Sequence, residues 1–139
     1  MKLQIKPKSY GPVYINVNQE GKLAFSQNPD QFDQSNPDIS SPAISLLYSL
    51  GGCIALSLQM VAEKRKLTLK PFCVKASSGK ALDLPFRFEN FQVRVSEGFV
   101  DDTELAQKLL KDAKSICTVS NTLNTDVDLS LGEISPNQD

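Results

Sequence analysis

Residues 49–60 read SLGGCIALSLQM, and the interpretation of this stretch decides the rest. Apolar residues continue on both sides, at Ile44, Leu46, Leu47, Leu50, Ile54, Leu56, Leu58, Met60 and Val61. They occupy most of the circumference of a helix from Pro42 to about Arg65. A helix that is apolar all round must be buried or span a membrane. The run is about long enough to cross a bilayer, but Ser45, Ser49, Ser57, Gln59 and the paired glycines favour a buried central helix. Each helix-interior glycine costs about 1 kcal/mol relative to alanine, so Gly51 and Gly52, directly before Cys53, call for a packing or chemical reason.

Both flanks agree with a helix in the middle of an α+β domain. Ser41 suits an N-cap and Pro42 the first helical position, while Glu63-Lys64-Arg65-Lys66 is a basic stop. Upstream, residues 1–27 alternate in three short runs, MKLQIK, PVYINVN and GKLAFSQ, and predict an N-terminal β-meander. Residues 28–41, rich in Asn, Asp, Ser and Pro, form a loop. Downstream, LTLKPFCVKAS and PFRFENFQVRVSE within 67–98 predict two strands joined by a glycine-containing hairpin. In the second, Phe86 and Phe88 share one parity and Phe91, Val93 and Val95 the other, so a β-bulge or a change of covered face is expected near Glu89-Asn90. Residues 101–123 read as helices, opened by a capping box with Asp101 as cap and Glu104 at N3. They carry an apolar face of Ala106, Leu109, Leu110, Ala113, Ile116 and Cys117, so Cys117 points inward. Residues 125–134 form a last strand and 135–139 a polar tail.

Composition removes many functions. The chain has 139 residues, 40 % of them hydrophobic, which fits a single domain with a small core that a second subunit would help complete. A net charge of −1 from 15 basic and 16 acidic residues leaves no footprint for nucleic acid or an acidic membrane. Charged residues and Pro7 interrupt the N-terminal run, so no secretory signal is expected and a cytoplasmic setting with reduced thiols follows. There is no histidine, which removes Ser-His-Asp and Cys-His catalysis and every histidine-bearing zinc site, and three cysteines are too few for a four-thiolate zinc site. No metal and no bound cofactor is expected. Thiols and carboxylates remain as candidate reactive groups.

Cys73, in KPFCVK, reads as a small buried hydrophobe. Cys53 differs, because Ser45, Ser49, Cys53 and Ser57 recur at i, i+4 as one stripe of small polar groups. One account is close packing of another helix, with serine hydroxyls bonded back to their own i−4 carbonyls. The other is that Ser49, Gly52 and Ser57 keep the thiol reachable and supply donors to a thiolate.

SPAISLLYSLGGCIALSLQMVAEKRKLTLK, residues 41–70, resembles the cysteine helix of the OsmC/Ohr family (osmotically inducible protein C and organic hydroperoxide resistance protein). AKSICTVSNTL, residues 113–123, resembles that family's second cysteine motif. The two stand in the family's order and spacing, and the resemblance runs from Ser41 to Leu131. It implies an intertwined homodimer around a long buried cysteine helix, and a close backbone approach at the glycines. It further implies thiol-dependent reduction of an organic hydroperoxide: Cys53 is peroxidatic, Cys117 resolving, and an external thiol or dithiol restores both. Leu46, Leu50, Leu56, Phe86 and Phe88 would line an apolar pocket.

One departure bears on activity. Active members pair an N-terminal arginine with a glutamate near the start of the cysteine helix, whereas here Ala43 follows Pro42 and no arginine precedes Arg65. A thiol in apolar surroundings without a cation has its pKa raised. Lys8, Lys22, Arg87 or Arg94 are the candidate substitutes, and Thr118 stands where many members carry proline. A second reading is therefore an OsmC-like dimer that binds an apolar ligand or senses redox state without efficient turnover.

Overall fold

A computed structural model describes residues 4–32, 36–37 and 41–134. In chain order the elements are β1 (Ser9–Val17), β2 (Leu23–Ser26), α1 (Pro42–Lys64), β3 (Phe72–Lys80), β4 (Phe88–Val95), α2 (Thr103–Ile116), α3 (Thr118–Thr122) and β5 (Val127–Leu131). The strands form one sheet in the order β2-β1-β3-β4-β5. All neighbours are antiparallel except β4 and β5, which the α2–α3 crossover joins in parallel. This is the α+β arrangement expected, with one strand fewer at the front among the described residues. Of the first expected run, Met1–Leu3 lie outside the described residues and Gln4–Lys8 form no strand; the described part of the meander is the β1–β2 hairpin, and the other edge of β1 pairs β3.

Alternation along β1, β3 and β4 turns Val13, Ile15, Val17, Phe72, Val74, Ala76, Phe91, Val93 and Val95 to one buried face, with α1 packed over its β1 and β3 part. Each valine, isoleucine and phenylalanine among them contributes about 1.5–3 kcal/mol when fully buried. β3 starts only at Phe72 and β4 only at Phe88, later than the apolar runs suggest. Pro71 lies before β3, where a residue lacking an N–H cannot extend the ladder, and Pro85 lies in the β3–β4 loop. The expected irregularity near Glu89-Asn90 is present. Ser78 pairs Phe91 while Lys80 pairs Phe88, so β4 carries one extra residue between those two pairs.

α1 begins at the expected cap, where Ser41 Oγ accepts the Ile44 N–H at 3.3 Å and Pro42 takes the first position. It ends in a Schellman arrangement: the Leu67 N–H donates to Ala62 O at 2.8 Å and the Lys66 N–H to Glu63 O at 2.9 Å. Lys66 takes φ +58° to allow this. By length and composition α1 could cross a membrane, yet 56 % of its apolar window is buried within this fold, against the sheet on one side and α2 and α3 on another. α2 is capped by Asp102, one residue later than expected. Its Oδ1 accepts the N–H groups of Glu104 at 2.9 Å and Leu105 at 3.4 Å, while Asp101 pairs with Lys70 at 2.5 Å.

Candidate active site

Cys53 sits at the middle of α1, partly buried, on the face that the sheet leaves uncovered. Ser49, Leu56 and Met60 share that face at helical spacing; Leu56 is 51 % exposed and Met60 60 %. Cys117 is fully buried at the junction where α2 ends and α3 begins. It is the cap of α3 rather than a member of the α2 face: its Sγ accepts the Ser120 N–H at 3.5 Å, as a serine Oγ would at that position. α3 packs on α1 and brings the Cys117 thiol beside that of Cys53. All three cysteines are free thiols.

Burial pushes the Cys117 thiol up to about 11. The Ser120 N–H pulls it back, and the neighbouring Cys53 sulfur adds to the rise, since two thiolates cannot easily coexist side by side. Cys117 is therefore a protonated thiol at neutral pH. Of the pair, Cys53 is the sulfur that is partly exposed to solvent. Sequence reasoning missed the Cys117 cap, whose donor is the backbone N–H at position 120 that any residue but proline would supply.

The other expected site residues are distributed less tightly. Ser49 Oγ donates to Ser45 O at 2.9 Å, which is the back-bonding account of the serine stripe, whereas Ser45 Oγ is buried with no hydrogen-bond partner. Ser57 is buried one turn beyond Cys53. Gly52 faces Phe25 and Leu23 of β2, where an added Cβ would find ordinary contacts at 3.6 and 3.8 Å. The close approach belongs to Gly51, whose added Cβ would stand 2.4 Å from Ile15 Cδ1. So one glycine of the pair fits the helix onto β1, and neither is explained by the sulfur.

Arg94 alternates with Val93 and Val95 and so lies on the sheet face away from α1, with its guanidinium donating to Glu133 O. It cannot serve the Cys53 thiol of its own chain. Arg87 is in the β3–β4 loop, paired with Asp83 at 2.8 Å and donating to Pro85 O at 2.9 Å, near the first turn of α1. Lys22 pairs with Glu20, and Lys8 rests over the Tyr10 ring. No acidic residue stands in the first turn of α1. Of the expected apolar lining, Leu50 is fully buried in the core, while Leu46 and Phe88 are partly buried and Leu56 and Phe86 exposed. Cys73 also faces away from α1, in a cleft of about 570 Å³ with Asn16, Phe32 and Ser96. Burial pushes its thiol up to about 11. Among the described residues no group of three or more Cys, Asp and Glu is placed to hold a metal ion.

A family model described as OsmC-like protein matches residues 35–132, most of the chain. The chain belongs to the OsmC-like family. Solved structures agree on the fold. An organic hydroperoxide resistance protein OsmC from Legionella pneumophila superposes with a TM-score of 0.59 at 16 % identity, covering 96 % of this chain and 98 % of that one. The organic hydroperoxide resistance protein OhrB of Bacillus subtilis gives 0.59 at 17 % identity over 94 % and 98 %. An organic hydroperoxide resistance protein from Elizabethkingia anophelis gives 0.56 at 19 % identity over 96 % and 100 %. No functionally curated sequence matches. What this OsmC-like protein shares with these relatives is thus its architecture.

Proposed function

We propose that this OsmC-like protein is a thiol-dependent reductase of organic hydroperoxides that works as a cytoplasmic homodimer. The observation that carries the reading is the pairing of a reachable Cys53 with a buried Cys117, side by side although far apart in sequence. In the first step the Cys53 thiolate attacks the distal peroxide oxygen. The O–O bond breaks, the alcohol leaves after taking up a proton, and Cys53 becomes a sulfenic acid. In the second, the Cys117 sulfur attacks that of Cys53, water leaves and a disulfide forms. An external thiol or dithiol then supplies two electrons and two protons to restore both thiols. Burial of Cys117 keeps peroxide away from it, so it reaches only the oxidised neighbour.

The homodimer is supported by the apolar strip that the monomer leaves uncovered, Leu56 and Met60 on α1 with the 44 % exposed Ile116 at the end of α2. The second reading, a non-catalytic dimer that binds an apolar ligand or senses redox state, is favoured by one observation: Ala43 stands where the family's glutamate would, and no arginine precedes Arg65. The discriminating experiment mixes reduced protein with one equivalent of cumene hydroperoxide and counts free thiols. Loss of two thiols per chain, abolished in Cys53→Ser, supports the reductase. No loss over minutes, with organic peroxides and hydrogen peroxide alike, leaves only the second reading.

A further inference from the structure

The thiols of Cys53 and Cys117 stand side by side, one in the middle of α1 and the other at the start of α3. Their surroundings limit what else the pair can hold. The chain has no histidine. The third thiol, Cys73, lies on the far side of the sheet in the cleft with Asn16 and Ser96. Glu63, the one acidic residue of α1, comes ten residues after Cys53, about 15 Å along the helix axis. Asp112, the acid that most closely precedes Cys117 in the chain, is engaged by Arg65 at 2.8 Å. The groups that act on the Cys117 sulfur are Cys53 and the backbone of Val119 and Ser120, with no carboxylate among them. Among the described residues the donor set is therefore two sulfurs.

Such a set is selective. Thiolates favour soft centres, and zinc would need two further ligands that this site lacks. Charge narrows the choice again. A monovalent soft ion such as Cu(I) held by two thiolates would leave a net negative charge beside the fully buried Cys117, while Lys8, Lys22, Arg87 and Arg94 are all engaged elsewhere. A trivalent arsenic centre that carries one organic group has two valences left, and two sulfurs close it to a neutral adduct that burial does not penalise.

We infer that Cys53 and Cys117 together form a two-sulfur binding site for monosubstituted trivalent arsenicals, entered through the partly exposed Cys53 and closed by the buried Cys117. The Cys53 S–H adds across the As=O bond of an organic arsenoxide, giving an As–S bond and an As–OH group. The Cys117 thiol then displaces that hydroxyl and forms the second As–S bond. The two thiol protons and the oxide oxygen leave as one water, arsenic stays trivalent and no electrons are exchanged. This site rests on the adjacency of the two thiols and not on the reductase reading. Its test titrates the reduced full-length protein with phenylarsine oxide and follows free thiols together with the intact mass. One arsenical per chain is expected, with two thiols lost and the adduct lighter by one water than the sum of its parts. Because the second bond closes within one molecule, Cys53→Ser and Cys117→Ser should each weaken binding by about a hundredfold or more, whereas Cys73→Ser should bind like the unsubstituted chain. Serine at 117 keeps an oxygen to accept the Ser120 N–H, the unfolding midpoint of each variant separates a lost site from a lost fold, and if one of the two variants does not fold the other decides. Zinc added to the reduced protein should leave both thiols free to react with the arsenical. No adduct, an adduct of undiminished affinity in Cys53→Ser or Cys117→Ser, a need for Cys73, or protection of the pair by zinc would overturn the inference. If peroxide removes no thiols while the arsenical still takes two, the reductase reading falls and this site stands.

Discussion

Gly51 and Gly52 are neighbours in sequence, yet their environments predict opposite responses to the same substitution. At Gly51 an added Cβ meets Ile15 Cδ1 at 2.4 Å in the seam between α1 and β1, with Ala76 behind it. Overpacking of this kind costs about 1–3 kcal/mol, against a helix-propensity gain of about 1 kcal/mol. Gly51→Ala is therefore expected to be neutral to destabilising, by up to about 2 kcal/mol. Gly52→Ala meets ordinary contacts and should stabilise by about 0.5–1 kcal/mol. Urea unfolding at fixed protein concentration reads both. Gly52→Ala less stable than Gly51→Ala would refute the packing argument. The two displaced thiols give a pH signature. Cys117 and Cys73 ionise near 11 in the folded chain against 9.0 unperturbed. The stability they confer is complete below about pH 9 and is lost as pH rises toward 11, because the unfolded state releases those protons first. Cys117→Ala and Cys73→Ala, whatever they cost at pH 7, should each flatten the fall in unfolding free energy between pH 9 and 11. An unchanged slope in both variants would contradict it.

At the scale of the element, the helix ends give separable tests. Asp102, not Asp101, accepts the first amides of α2. Asp102→Ala should cost about 1 kcal/mol, whereas Asp101→Ala removes only an exposed pair with Lys70 and should leave the unfolding midpoint nearly unchanged. Both aspartates fit the sequence pattern. Which one adopts the extended cap conformation is set by how the chain enters from β4, through Gly98 at φ +94°. At the other end of α1, Lys66 holds a left-handed conformation that a glycine would adopt without a Cβ penalty. Lys66→Gly is expected to raise stability by about 1 kcal/mol. A loss in the same unfolding assay would show that the Lys66 side chain contributes more than its backbone strain costs.

At the scale of the whole molecule, the fold leaves part of the apolar surface of α1 uncovered. The sheet covers one side and α2 with α3 another, and the remaining strip exposes Leu56 and Met60 beside Cys53. A helix of this composition alone in water would leave apolar surface unburied, and in the proposed homodimer a second copy related by two-fold symmetry would cover it with the same strip. Sedimentation velocity should give twice the 15.3 kDa chain mass. Leu56→Glu with Met60→Glu should shift the protein to the monomer without unfolding the sheet. A monomeric native protein would remove the dimer from the proposal.

The local patterns of the sequence determined the inventory of this protein: a long apolar helix with a cysteine at its centre, strands before and after it, a bulge near Glu89-Asn90, a capped amphipathic helix and a cysteine at its end. Those features depend on periodicity, caps and parity, which act over a few residues and are written in the chain directly. Tertiary structure decided what stands next to what. It paired β1 with β3, turned Arg94 and Cys73 away from α1, gave the close contact to Gly51 rather than Gly52, and gathered Lys80, Arg87, Tyr10 and Phe86 around the start of α1. It also set Cys117 beside Cys53. Such neighbours are chosen by how whole faces bury each other across long separations in the chain, and no short-range pattern encodes that choice.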